Sequence, residues 1–81
     1  MSKANFDAVV KLVAVYVGAA KATGLVERRL AEAKLTADQF TFSDLTESVR
    51  SRIAGAANLY IAEKTQQDEL GKKLAAMSAS K

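Results

Sequence analysis

The chain contains no cysteine, no histidine, no proline and no tryptophan. Without cysteine there is no disulfide to brace a small fold and no thiol chemistry. With histidine absent too, the thiolate and imidazole ligands of a structural zinc site are missing. Ser43, Ser48 and Ser51 likewise have no imidazole to activate them as nucleophiles. All four glycines are isolated in sequence, so no glycine-rich loop cradles a phosphate. No cofactor is implied. The lack of proline, beside 16 alanines, favours long uninterrupted helices.

What remains is 81 residues, enough for one small domain spanning 1–81. A core of this size is marginal, and small folds without disulfides or metals often lean on oligomerisation. The hydrophobic fraction of 49% fits a globular or assembled protein, not a disordered one. Net charge is +3, from 12 basic and 9 acidic residues, which is far from the charge density of a dedicated nucleic-acid binder. Lys3 supplies a weak positive start, but Asp7 and Lys11 interrupt the apolar residues after it, unlike a secretory signal. The apolar run Leu12–Ala20 is nine residues, against about 20 needed to span a bilayer. The chain therefore reads as soluble, or at most peripheral to a membrane.

Two helical segments are expected, over about residues 5–34 and 44–77. In the first, Phe6, Val10, Val13, Val17, Ala20 and Gly24 keep the heptad rhythm of alternating steps of four and three. A second seam runs beside it through Val9, Leu12, Tyr16, Ala19, Thr23, Val26, Leu30 and Ala33. Val9, Val13, Val15 and Val17 are β-branched and would also suit a strand. Both phases of that alternation are apolar, however, and the alanine-rich surroundings and heptad match favour helix. In the second segment the seam is Leu45, Val49, Ile53, Ala56, Tyr60, Glu63, Gln67, Leu70, Leu74 and Met77. Asp68–Lys72 and Glu69–Lys73 are acid-first pairs four apart, which support helix there. Between the segments, Thr36-Ala-Asp-Gln39 reads as a capping box and Ser43 as an N-cap with Asp44 and Glu47 in the first turn. Phe40 and Phe42 imply that the connection is not merely solvated.

The simplest fold is thus all-α, a long antiparallel two-helix hairpin, with a kink at Gly24 or Gly55 as the variant that would compact it into three or four helices. Folding back at residues 35–43 brings Leu30 beside Val49, Val26 beside Ile53 and Ala19 beside Leu59. Further along it sets the apolar stretch Leu12 to Tyr16 against Ala62 to Gln66, which overlaps the polar run Glu63-Lys-Thr-Gln-Gln-Asp-Glu69. That mismatch leaves Val9, Val10, Leu12, Val13, Tyr16 and Val17 as a candidate protein interface, because monomers seldom leave a contiguous patch of that size bare. A second copy or a larger assembly would then complete the core. Small residues four apart, Ala14/Gly18/Ala22 and Ala20/Gly24, would allow close helix contacts.

Catalysis is not expected. Glu27, Glu32, Asp44 and Glu47 each have a basic neighbour and follow a surface helical pattern. Lys11 lies in an apolar run, where desolvation would make it nucleophilic, but pairing with Asp7 or reaching water suits it better. Arg28, Arg29, Lys34, Arg50 and Arg52 gather near the hairpin tip, and the four arginines are candidate phosphate contacts. Glu27, Glu32, Asp38, Asp44 and Glu47 accompany them, five against five, so nucleic acid is the weaker expectation. The leading expectation is a non-catalytic structural or assembly subunit, for example of a virion or another multi-protein complex. The alternatives are a small regulatory or inhibitory adaptor for one protein target and a weak nucleic-acid-associated protein.

Overall fold

A computed structural model describes residues 4–79; Lys3 and Lys81 lie outside that range. Among the described residues four α-helices succeed one another: α1 Ala4–Val17, α2 Ala19–Glu32, α3 Glu47–Asn58 and α4 Lys64–Ala79. A single 3-10 turn, Phe42–Asp44, lies between α2 and α3. No strand occurs among the described residues. The chain is all-α, but it is not a two-helix hairpin. A straight helix over 5–34 would be about 45 Å long, whereas the longest extent of the molecule is 35 Å. The radius of gyration, 11.3 Å, matches the roughly 12 Å of a compact chain of this length.

Each arm of the expected hairpin is broken once, and neither break lies at Gly24 or Gly55. Gly24 sits within α2 and Gly55 within α3. The first break is Gly18, with φ 93° and ψ 147°, a backbone conformation essentially reserved for glycine. Its N–H still donates to the Ala14 carbonyl at 2.9 Å, while its own carbonyl accepts from Ala22 N–H at 3.0 Å. One residue therefore closes the ladder of α1 and opens that of α2. The second break spans Leu59–Glu63. Gln67 Nε2 donates to the Ile61 carbonyl at 2.8 Å, and the Glu63 carbonyl accepts from the amides of Gln66 and Gln67. The polar positions Glu63 and Gln67 are thus not a seam. They open α4 and satisfy backbone groups freed by the break.

The direction of pairing expected for the hairpin is retained. Glu32 on α2 bonds Arg52 on α3, Lys21 lies over the Tyr60 ring, and Tyr16 on α1 bonds Glu69 on α4. Gly18 and Leu59–Glu63 turn the two expected arms into four shorter helices. The helices form a ring in which α1 contacts α2 and α4, and α3 contacts α2 and α4.

One hydrophobic core fills the centre. α1 contributes Phe6, Val9 and Val13, α2 Ala22, Val26 and Leu30, α3 Val49, Ile53 and Ala57, and α4 Leu70 and Leu74. The steps of three and four put each set on one helix face. Phe40, Leu45 and Ile61 come from the connections and are buried too. The connection is therefore part of the core. Helix α2 ends in a Schellman motif: Lys34 takes φ 63°, Leu35 N–H reaches the Leu30 carbonyl and Lys34 N–H the Ala31 carbonyl. Thr36 Oγ1 accepts from Gln39 N–H at 3.3 Å, as the capping box there implies.

The cap before α3 is Thr46, not Ser43. Its Oγ1 accepts from Val49 N–H, and α3 starts at Glu47. Asp44 turns back instead, taking the Thr41 N–H on Oδ2 at 3.0 Å. Asn5 Oδ1 accepts from Phe42 N–H at 3.2 Å and ties this turn to the start of α1.

Candidate functional site

The residues proposed from sequence as a protein interface fall on α1, and the structure divides them. Val9 and Val13 are fully buried in the core of this same chain. Val10, Leu12, Tyr16 and Val17 are half-buried and pack against that core. The apolar stretch that the polar run could not cover is covered instead by folding α1 onto α2 and by Leu70 and Leu74 beyond the run. Val15 stays exposed at 74%.

Tyr16 meets the polar side of α4 through its hydroxyl. The hydroxyl donates to Glu69 Oε1 at 2.5 Å, Lys73 Nζ lies 3.4 Å from the same carboxylate, and Lys73 sits 5.7 Å over the Tyr16 ring. The Tyr16 hydrogen bond, then the Lys73 charge, holds the Glu69 carboxyl below its ordinary value. The Tyr16 hydroxyl, then Glu69, holds the Lys73 ammonium above its own. A lowered carboxyl pKa adds stability above the unfolded value and loses it as pH falls through the folded one. Tyr16→Phe removes the largest cause for both groups. The stability difference between wild type and Tyr16→Phe is therefore expected to be larger at pH 7 than at pH 3, and the Glu69 pKa to rise. Urea titrations at the two pH values, with carboxyl shifts followed by NMR, check both; an unchanged Glu69 titration would contradict the assignment.

The four arginines proposed as phosphate contacts do not form a free basic face. Arg29 pairs with Glu32 at 3.0 Å, and Arg52 with the other oxygen of Glu32 at 3.3 Å. Arg50 joins the start of α3 to the end of α4, since its Nη1 donates to the Leu45 carbonyl at 2.7 Å and to Ser78 Oγ at 3.0 Å. Arg28 alone of the four makes no ion pair or hydrogen bond among the described residues. Lys11 is exposed, so the desolvation that would make it nucleophilic is absent. Among the described residues no three acidic side chains come together to hold a metal ion. No helix there is long and apolar enough to cross a membrane.

The end of the bundle where both arms turn is different in character. Leu59 is 83% exposed and Tyr60 53% exposed, and Ala19, Ala20 and Ala62 are exposed beside the two breaks. A groove of about 430 Å³ opens there between α2 and the end of α3. Small residues, Ala20, Gly24 and Ala56, line it, and a Cβ placed on Gly24 meets nothing within 4 Å. Leu25, Leu59 and Tyr60 supply apolar surface. Lys21, Arg28 and Arg29 supply charge, and no acidic side chain joins them in the lining. Lys21 Nζ stands 4.7 Å from the Tyr60 ring centroid, within cation–π range. Sequence reasoning missed this site because Tyr60 fits the inward seam of an unbroken helix. Only Asn58, a poor helix former at the end of α3, marks the break in sequence.

No protein family matches the chain, and no curated protein or solved structure matches it either.

Proposed function

We propose that the chain is a non-catalytic helical module that joins a larger protein assembly by docking, as a folded unit, through the end where both arms turn. The observation that carries this reading is the pair Leu59 and Tyr60, two large side chains left in solvent, while the other large apolar groups among the described residues are buried at least in part, Val15 excepted. Apolar groups exposed together, rimmed by polar residues, are the usual mark of an interaction surface. Tyrosine is among the residues that most often carry binding energy there. A core that closes within one chain supports docking of a folded unit. Docking on a different protein suits this better than exchange of helices between copies, so the adaptor reading gains over the self-assembling subunit. The nucleic-acid reading loses ground, since three of its four arginines are engaged internally.

Replacement of Leu59 tests the reading. A tagged chain recovered from its native source is expected to bring down a stoichiometric companion protein. Leu59→Ser should lose that companion while Lys72→Glu keeps it, and both variants should melt near wild type because both side chains are exposed. Equal retention by the two variants would move the docking surface elsewhere.

A further inference from the structure

We infer that the groove between α2 and the end of α3 receives an acidic amphipathic helix of the partner protein, an inference that rests on the docking role proposed above. Shape, charge and apolar surface each narrow the occupant. The floor of Ala20, Gly24 and Ala56 lets a helix backbone approach closely, as small residues do at helix contacts. The walls Leu25, Leu59 and Tyr60 offer surface to apolar anchors, the usual mode of a helix in a groove.

The charges then set the sign of the occupant. Lys21 and Arg28 are seven residues apart on α2, about 10.5 Å along its axis, and neither has an acidic partner among the described residues. Arg29, in the same lining, is already paired with Glu32 through Nη2. A helix with two carboxylates about two turns apart, bracketing apolar anchors, meets the Lys21 and Arg28 charges and the apolar walls between them. A phosphate backbone gains nothing from Leu25 and Leu59, and base stacking on Tyr60 is blocked on the face that Lys21 covers. A flat anionic membrane surface does not enter a groove.

The experiment is an amide-resolved NMR titration of the full chain with a synthetic amphipathic peptide of about 18 residues, long enough to form helix. The peptide carries Glu at positions i and i+7 around Leu at i+3 and i+4. The comparison probes are the same peptide with Lys for Glu, a short oligothymidine, and vesicles of phosphatidylcholine with phosphatidylglycerol. The Glu peptide is expected to shift resonances of residues 20–29 and 56–60. Gly24→Leu, whose Cβ meets no atom within 4 Å and whose isobutyl group occupies the open floor, and Arg28→Glu should each weaken binding by about tenfold or more. Both variants should keep the wild-type spectrum elsewhere and its cooperative melting.

No shift in those residues at about 1 mM peptide, a range that detects even weak binding, would overturn the inference. So would undiminished binding by Gly24→Leu, or stronger effects there from the Lys peptide, the oligonucleotide or the vesicles. If the native companion is lost on Leu59→Ser but kept by Gly24→Leu and Arg28→Glu, the docking role stands and the groove is not its seat. If all three variants keep it, docking through this end of the bundle fails.

Discussion

Gly18→Ala is expected to destabilise the protein by about 1–3 kcal/mol, the usual cost of holding a non-glycine residue in such a backbone conformation. The cost arises from backbone strain and not from crowding, because a Cβ at Gly18 meets no atom within 4 Å. For a domain of this size about 2 kcal/mol corresponds to a fall of roughly 10 °C in Tm. Two of the other glycines supply the contrast. Gly24 and Gly55 lie inside helices with open space around them, so alanine there should stabilise by up to about 1 kcal/mol each. Thermal melts of the three variants check the series, and a Gly18→Ala protein that melts with wild type would show that the corner is not set by this residue.

The same substitution has a second consequence. Alanine at position 18 permits α1 and α2 to run on as one helix, which reopens one arm of the hairpin. That straight arm carries Phe6, Val9 and Val13 away from Val26 and Leu30 and offers them to another chain. Light scattering across a concentration series is therefore expected to detect dimer in Gly18→Ala where wild type remains at 8.6 kDa.

The all-α character and the inward faces were legible in sequence because their signals are periodic and long. The heptad steps through Val26 and Leu30, and through Val49 and Ile53, place those side chains on the inner face, and the antiparallel order survives in Glu32–Arg52 and Tyr16–Glu69. The breaks were not legible, for two different reasons. Gly18 looked like a small residue at a close helix contact, and glycine is equally compatible with a helix interior and a corner; Gly24 and Gly55 show the first use and Gly18 the second. At Leu59–Glu63 there is neither glycine nor proline. That break is a tertiary choice: it buries Ile61 and leaves Leu59 and Tyr60 outside, and Gln67 caps the freed carbonyl from six residues away. The basic groove was illegible for the same reason, since it exists only once α3 stops at Asn58.

Val13→Glu is expected to be the most damaging single substitution on α1. Val13 has no exposure at all and packs in the common core of the four helices. A carboxylate there must lose its hydration or be protonated, and no buried polar or charged residue among the described ones stands ready to pair with it. Such changes cost upwards of about 4 kcal/mol, while a small domain has only about 5–15 kcal/mol in total. The variant should lose cooperative melting and near-ultraviolet structure. Lys72→Glu, on the exposed side of α4, should stay within about 0.5 kcal/mol of wild type. The pair separates two roles for the apolar face of α1. If Val13 belonged to an intermolecular interface, glutamate would leave a folded monomer and abolish only association. As a member of the internal core it must unfold the monomer itself, and chemical denaturation of the dilute protein, where association is negligible, distinguishes the two.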